Sequence, residues 1–345
     1  MIELLGIDGT VQETPPMTSE QVVDALRLML LSRAVDDRLI KLQRMGRVGV
    51  YGPVQGQEAA VIGSAMALDP QRDWIVAASR EHPAMLRHGL PLMNMFATYM
   101  GNFDAAAVPE GVRLLPRQQS IGSQLPHAAG LAWALKLRKA GGVVAVYFGE
   151  GASSEGDFHE ASNLAGVMRV PLVMLLINNH YAISTPVHRQ TAAVDLAARA
   201  EGYGFPGFVV DGNDLFAVYA TTVDAVKRAL SGGGPTLIEC RTYRMGFHNT
   251  SDNPNEYRDA AEVDEAQRRE PVERVRRFAT REGIWSDAIE AAALDEIHSA
   301  IETAQRQVEE LPRPGPAAIF EHVYETLAPR LQRQRAEALD DARPS

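Results

Sequence analysis

Two short apolar runs, each followed at once by glycine or polar residues, constrain the fold of this chain more than any other feature. The first run ends on Gly149-Glu150-Gly151, and the second, residues 170–177, ends on Asn178-Asn179. Runs that are apolar throughout are typical of strands buried on both faces of a parallel sheet. Helical patterns alternate with these and other short apolar runs. The sequence therefore predicts a doubly wound α/β fold with a mainly parallel sheet.

The rest of the pattern predicts regular elements along most of the chain. Thr18 and Gln21 have capping-box spacing, which predicts a helix that begins there and ends near Gly46. Further helices are predicted over residues 56–68, 91–101, 125–142, 155–168, 192–202 and 214–230. Strands are predicted over residues 74–79, 143–148, 171–177, 208–210 and 237–241.

We divide the chain into three parts on this pattern. Residues 1–17 are expected to form an N-terminal arm, and residues 18–258 an α/β domain in which 103–124 is irregular. Residues 259–345 are expected to form a helical extension of the same domain, whose last stretch, 331–345, is predicted to be polar and frayed.

Composition limits the classes of protein to consider. The chain has 345 residues, 46% of them hydrophobic, which is enough for a sizeable core. A formal net charge of −10 argues against nucleic acid or an anionic membrane as the main partner. Cys240 is the single cysteine, which fits a reducing cytoplasm. The N-terminal residues do not predict a signal peptide, and the apolar runs are too short to cross a bilayer.

The residues after the two apolar runs have the chemistry of a metal-phosphate site. The carboxyl ends of parallel strands meet at one edge of a sheet, where ligands of α/β proteins bind. Gly149 is expected to permit the sharp exit of the strand, and Gly151 to let the backbone approach a ligand. Glu150 would repel a bare phosphate, but Mg²⁺ can bridge carboxylate and phosphate oxygens, and Asn179 can add an amide oxygen. Taken singly, these pieces are also a common turn and a common loop.

Four segments carry a resemblance to a known family: "FGEGASSEGDFHEASN", "NNHYAISTPVHRQTAA", "GYGFPGFVVDGNDLFAVY" and "TYRMGFHNTSDNPNEYR". They resemble the α subunits of the thiamine-diphosphate-dependent 2-oxo acid dehydrogenase first components, most of all the branched-chain type. The resemblance spans roughly residues 20–335 and is strongest over 143–258. Most of the superfamily has Asp between the two glycines, whereas branched-chain members often have Glu, as at Glu150.

The resemblance implies a role for several residues around the two apolar runs. Glu150, the side-chain oxygen of Asn179 and the backbone carbonyl of Tyr181 would bind Mg²⁺. Gly151 and Ala152 would lie against the diphosphate of the cofactor.

Three further positions match the family in the first half of the chain. Arg80 matches an arginine that contacts the diphosphate, although from sequence alone a surface salt bridge is as plausible. Ile121 matches the bulky residue under the bend of thiamine diphosphate, with core packing as the alternative. Ser123-Gln124 match a monovalent-cation site that some members have, for which K⁺ is the candidate ion. For Ser123, the alternative is a helix cap.

A polar, turn-rich loop near residue 250 supplies the candidate catalytic residue. His248 matches a catalytic histidine that contacts the cofactor in the family, whereas a lone histidine on a loop is more often simply solvated. The position after it carries a regulatory phosphorylation serine in mitochondrial relatives. Here it is Asn249, which cannot be phosphorylated.

The implied enzyme is an α subunit that decarboxylates a branched-chain 2-oxo acid oxidatively and transfers the acyl group to a lipoyl domain. Its partners would be a separate β subunit, in a complex of two α and two β chains, and the lipoyl domain of the acyltransferase. Two alternatives stay open: the same chemistry on pyruvate or acetoin, and a cofactor-free structural subunit. Ser79, Ile177 and a short 102–119 segment depart from the family pattern. Ser79 and the short segment favour the last alternative, whereas the presence of Glu150, Asn179 and His248 argues against it.

Overall fold

A computed structural model of the chain describes residues 1–321 and 323–342. The strands are β1 (Trp74–Val76), β2 (Val144–Gly149), β3 (Leu172–Asn178), β4 (Tyr181–Ala182), β5 (Thr185–Pro186), β6 (Gly207–Asp211) and β7 (Thr236–Arg241). Five of them form a parallel sheet in the order β1-β2-β3-β7-β6, and β4 and β5 form a two-stranded antiparallel hairpin.

Helices connect and cover the strands. The α-helices are α1 (Ser19–Arg44), α2 (Glu58–Met66), α3 (His82–Arg87), α4 (Leu92–Met100), α5 (Gln124–Arg138), α6 (Gly156–Met168), α7 (Leu215–Leu230), α8 (Ala260–Arg268), α9 (Pro271–Arg281), α10 (Asp287–Glu309) and α11 (Pro329–Asp341). The 3₁₀ helices are Gly151–Ser154, Val187–Arg189, Leu196–Tyr203, Pro254–Glu256 and Pro316–Ile319.

Side chains of β2 show why the sheet is buried on both faces. Val146 and Phe148 pack into one core with α5 and α6, whereas Ala145 and Tyr147 pack into a second core with α1, α2 and α7. Successive side chains of a strand point to opposite faces, so a strand between two helical layers must be apolar at every position. The predicted doubly wound α/β fold is confirmed.

Side-chain caps fix the start of several helices, among them α1 and α7. Gln21 N donates to Thr18 Oγ1 at 3.2 Å and Thr18 N to Gln21 Oε1 at 2.9 Å, which confirms the predicted capping box of α1. At α7, Asp214 Oδ1 accepts from Phe216 N and Ala217 N, each at 2.9 Å.

The other carboxylate oxygen of Asp214 holds the N-terminal residues. Leu4 N and Leu5 N donate to Asp214 Oδ2 at 2.6 and 2.7 Å, and Leu5 is buried. Ile2 forms a parallel bridge with Val210 of β6. The start of the predicted arm therefore lies along the edge of the sheet.

The structure differs from the sequence expectations in several places. Residues 331–341, predicted to be frayed, belong to α11. Arg, Gln, Ala, Leu and Glu are strong helix formers, so this segment is helical although none of the side chains of α11 is buried. Residues 343–345 of the predicted frayed end lie outside the described part. The helix expected over 192–202 is a 3₁₀ helix, Leu196–Tyr203. The helix α3 was not predicted, and β1 ends at Val76 rather than at residue 79. No helix in the described ranges has both the length and the apolar character needed to cross a membrane.

Candidate active site

The parallel pairing of β2 with β3 brings the two polar stretches together. Gly149 pairs with Ile177, so the residues that follow each strand emerge side by side. Asn179 N lies 3.3 Å from Glu150 Oε2 and donates to it. The sequence expectation that these residues share one edge of the sheet therefore agrees with the geometry.

Glu150 is a buried carboxylate without a protein counter-ion. Its side chain is 2% exposed, and burial raises its pKa. Within the described ranges, no Lys, Arg or His nitrogen lies within the 4.0 Å of a salt bridge from it. Burying an unpaired charge is costly, so this carboxylate has the surroundings expected of a cation ligand.

The loop after β3 presents two further oxygens near Glu150. Asn179 Nδ2 donates to Gln57 Oε1 at 2.9 Å, which fixes the amide so that Oδ1 accepts from Tyr181 N at 3.3 Å. The carbonyl oxygen of Tyr181 accepts from Arg244 Nη1 at 3.1 Å, which uses one of its two lone pairs. Carboxylate, amide and carbonyl oxygens together form a donor set of the kind that Mg²⁺ prefers.

Gly151 is required by close packing, whereas Gly149 is not. A Cβ atom at Gly151 would lie 2.8 Å from the Cβ of Ala182, so a larger residue would push the hairpin away. At Gly149 a Cβ would meet only the carbonyl oxygen of Ile177, at 4.0 Å, and its φ is not in the left-handed region. Glycine at 149 permits the exit of the strand, as expected, but neither its φ nor the space around it requires glycine. Ala152, in the 3₁₀ turn, is buried.

Arg80 lies between β1 and α3 and is directed inward rather than into a surface salt bridge. Its Nη1 donates to the carbonyl oxygen of Pro53 at 2.6 Å, and its Nη2 donates to the carbonyl oxygen of His248 at 2.6 Å. Gly52 makes room for this arrangement, because a Cβ there would lie 3.0 Å from both Arg80 Nη1 and His248 O.

His248 is half-buried beside two cations. Burial, then Arg80 and then Arg244 lower its pKa to about 4, against the smaller opposing effect of Asp252. Arg80 Nη2 lies 3.1 Å from its Nδ1, and an arginine can only donate. Nδ1 must therefore be the acceptor, and the neutral imidazole carries its proton on Nε2.

Arg244, a second buried arginine, was not among our predicted site residues. It is 1% exposed and donates to the carbonyl oxygens of Tyr181 and Ile183 and to Tyr257 Oη. Like Arg80, it makes no salt bridge with a described carboxylate. Arg80 and Arg244 are thus buried cations without a salt bridge to a described carboxylate, and they lie in the same cluster as the unpaired Glu150. The two guanidinium groups suit the binding of an anion, and the carboxylate suits the binding of a cation. The sequence feature that could have indicated Arg244 as a site residue is its position just beyond β7, at the same edge of the sheet as Glu150 and Asn179.

In the described part of the chain, no hydrogen bond joins the 118–124 segment to Glu150, Arg80 or His248. Ile121 is 60% exposed. Ser123 Oγ donates to the carbonyl oxygen of Ser120 at 2.8 Å, and Gln124 Nε2 donates to the carbonyl oxygen of Tyr147 at 3.0 Å. Ser123 is the N-cap residue of α5, but its side chain makes no capping hydrogen bond.

A large cleft of about 910 Å³ lies on the other side of Tyr181. Its wall includes Tyr181, Tyr243, Arg241 and Glu262 but none of Glu150, Arg80 and His248. The cleft therefore shares Tyr181 with the polar cluster but not Glu150, Arg80 or His248.

Comparisons with known proteins agree with the fold. The profile of the family described as "Dehydrogenase E1 component" matches residues 26–317. The chain is 39% identical over 338 residues to the pyruvate dehydrogenase E1 component subunit alpha of Staphylococcus aureus (strain Mu50 / ATCC 700699), covering 97% of this chain and 91% of that protein. It is 38% identical, with the same coverage, to the protein of that name from Staphylococcus epidermidis (strain ATCC 12228 / FDA PCI 1200).

The chain belongs to the dehydrogenase E1 component family, as an α subunit of its thiamine-diphosphate-dependent 2-oxo acid dehydrogenases. The resemblance seen in the sequence is confirmed at this level.

Proposed function

We propose that the chain acts with a separate β subunit to decarboxylate branched-chain 2-oxo acids oxidatively and to pass the acyl group to a lipoyl domain. The observation that carries the proposal is the buried, unpaired Glu150 beside Asn179 and two buried arginines. This cluster also argues against a cofactor-free structural subunit, because no salt bridge among the described residues pairs Glu150, Arg80 or Arg244 with an opposite charge.

The residues present fit thiamine diphosphate and Mg²⁺. Glu150, Asn179 Oδ1 and the Tyr181 carbonyl would hold the metal ion. Gly151 and Ala152, in the turn after β2, would lie along the diphosphate.

Arg80 and Arg244 would face the negative charge of the diphosphate, and Ile121 would support the bend of the cofactor. When bound, thiamine diphosphate supplies the stabilisation of a carbanion, which no side chain of this chain can provide. Ser123 and Gln124 are proposed as a K⁺ site.

His248 has one protonation state available to it near neutral pH. Its pKa of about 4 keeps the imidazole neutral, and the hydrogen bond from Arg80 to Nδ1 leaves the proton on Nε2. His248 can therefore donate a hydrogen bond through Nε2 while its ring stays neutral.

The backbone of His248 is fixed separately from its ring. Its N–H donates to Asp252 Oδ2 at 2.6 Å, and Asp252 also accepts from Tyr257 Oη at 2.6 Å. The ring is thus positioned by Arg80 and the main chain by Asp252.

The β subunit would complete the site. The α/β domain of this chain provides groups for the metal ion and the diphosphate, and the resemblance implies that the glutamate that activates the cofactor belongs to β. We propose two α and two β chains, with the cofactor between them, in the cytoplasm.

Pyruvate is the second candidate substrate, because the relatives at 38–39% identity are named pyruvate dehydrogenase. The glutamate in Gly149-Glu150-Gly151 and the segments "YAISTP" and "HNTSDNPNEYR" favour branched-chain acids.

Kinetics of the α/β complex decide between these substrates. The chain would be co-expressed with its β subunit, and kcat/KM measured for 3-methyl-2-oxobutanoate, pyruvate and acetoin. We expect the highest value for the branched-chain acid. A higher value for pyruvate would replace the proposed substrate, and a complex inactive on every substrate, with no affinity for thiamine diphosphate, would favour a structural subunit.

A further inference from the structure

The loop that follows β3 has a strained backbone on both sides of Tyr181. His180 has φ 73° and Ile183 has φ 55°, in the left-handed region that side chains other than glycine rarely adopt. For a β-branched residue such as Ile183 this conformation is a clear outlier. Strained residues persist only where their surroundings hold them.

Hydrogen bonds hold Tyr181 from two directions. On the backbone side, Arg244 donates to the carbonyl oxygens of Tyr181, at 3.1 Å, and Ile183, at 2.7 Å. On the other side, Tyr181 Oη donates to Glu262 Oε2 at 2.7 Å. The tyrosine is 7% exposed, so its ring is fixed by packing and its hydroxyl by this carboxylate.

Glu262 links the segments that follow two neighbouring strands. The same carboxylate oxygen lies 3.3 Å from Tyr243 Oη, so it accepts from residues beyond both β3 and β7. Glu262 is exposed, and Ala266 is the one buried residue of α8. The carboxylate is therefore not needed for the core of the protein.

We infer that Glu262 is a positioning residue for the proposed metal site: by holding the hydroxyl of Tyr181, it keeps the Tyr181 carbonyl where Mg²⁺ would bind. The inference rests on the proposed function, because it assigns the carbonyl as a ligand. Groups that orient metal ligands typically change metal affinity by about 10–100-fold when removed. Glu262 and Tyr181 both line the 910 Å³ cleft, so the carboxylate holds the side chain of Tyr181 and not the carbonyl oxygen proposed as the Mg²⁺ ligand.

The experiment measures Mg²⁺ affinity of the α/β complex by calorimetry at saturating thiamine diphosphate. Glu262→Ala and Tyr181→Phe should each raise the Kd for Mg²⁺ about 10–100-fold, and the double variant should add little, because both remove one interaction. Glu262→Gln should restore most of the affinity, because an amide oxygen still accepts from the hydroxyl.

Glu265→Gln is the matched control. It changes an acid on the same helix and in the wall of the same cleft, but Glu265 pairs with Arg268 and makes no hydrogen bond to Tyr181. Its Kd should equal that of the wild type.

Glu150→Ala separates failure of this inference from failure of the proposed function. If Glu150→Ala abolishes Mg²⁺ binding while Glu262→Ala and Tyr181→Phe bind it as the wild type does, Glu262 has no positioning role. Glu262 also has no positioning role if the effects of Glu262→Ala and Tyr181→Phe on the Kd for Mg²⁺ are fully additive in the double variant. If Glu150→Ala binds Mg²⁺ normally, the proposed metal site itself is wrong.

Discussion

Arg80 and His248 form one unit, although 168 residues separate them in the sequence. Arg80 Nη2 lies 2.6 Å from the carbonyl oxygen of His248 and 3.1 Å from its Nδ1. The arginine proposed for the diphosphate therefore also sets the tautomer of the proposed catalytic histidine. A change at Arg80 is expected to affect cofactor binding and the histidine together.

Arg80→Lys tests the geometry of this arginine while it keeps the charge. Two nitrogens of the planar Arg80 guanidinium donate to the carbonyl oxygens of Pro53 and His248. Lysine has no planar fork of donors, so its ammonium group cannot reproduce both hydrogen bonds. Hydrogen bonds to charged groups contribute about 1.5–3 kcal/mol, so we expect a loss of about tenfold or more in affinity for thiamine diphosphate. Calorimetry on the α/β complex measures it. Arg113→Lys, at an arginine beside Trp74 outside the cluster, is the control; equal affinities in both variants would contradict the assignment.

Glu150→Gln separates stability from cofactor binding. Because a buried carboxylate without a counter-ion is unfavourable, the amide should leave the cofactor-free protein at least as stable as the wild type. Thermal unfolding with and without Mg²⁺ and thiamine diphosphate should show the difference. Ligand at 1,000 times its Kd stabilises a protein by about 4 kcal/mol, and the variant should lose this gain. A variant stabilised by both ligands as the wild type is would rule out Glu150 as a metal ligand.

The sequence predicts the strand ends well and the side-chain contacts poorly, for a physical reason. The apolar runs before Gly149 and Asn178 are local patterns, and parallel pairing then places their ends together. The contact of Arg244 with Tyr181 spans 63 residues, and no local periodicity encodes it. The polar composition of 331–341 indicated exposure correctly, but helix propensity, which acts independently of burial, decided the local structure.

Cofactor affinity should depend on assembly. Glu150, Arg80 and Arg244 belong to this chain, but the cofactor-activating group is proposed to come from β. We expect the isolated α chain to bind thiamine diphosphate weakly and the α/β complex to bind it tightly. Calorimetry on both preparations, with sedimentation to establish the two α and two β stoichiometry, measures this. Tight binding together with full decarboxylation by purified α alone would refute it.

The pKa of His248 predicts a pH dependence. Burial, Arg80 and Arg244 lower the pKa of the folded chain's His248 to about 4, from its ordinary value of 6.5. The unfolded state therefore binds the proton first as the pH falls, so the contribution of His248 to stability is present above about pH 6.5 and is lost as the pH falls through 4. NMR of histidine-labelled, cofactor-free protein, assigned with His248→Gln, should place the midpoint near 4. Arg80→Ala should raise the midpoint because it removes a nearby positive charge. A midpoint near 6.5 in the wild type would show that the imidazole is solvated.

His248→Ala should retain the cofactor but lose turnover. The proposed metal ligands Glu150, Asn179 and Tyr181 lie on other segments, so most of the cofactor affinity should survive the loss of the imidazole. A positioned acid–base group contributes about 10²–10⁴-fold in rate, and we expect a loss in that range in overall NADH-forming activity of the reconstituted complex. His298→Ala, on the exposed face of α10, is the control.

The choice of acceptor locates the step that His248 serves. If the 244–258 loop also docks the lipoyl arm, the loss in His248→Ala should be larger with a lipoyl domain than with an artificial electron acceptor. Arg258→Ala should resemble it with a smaller effect, because Arg258 Nη1 donates to the carbonyl oxygens of Arg244 and Gly246 and so stiffens the loop. Wild-type overall turnover in His248→Ala would show that the histidine takes no part in the reaction, and the tautomer set by Arg80 would then be a consequence of packing alone.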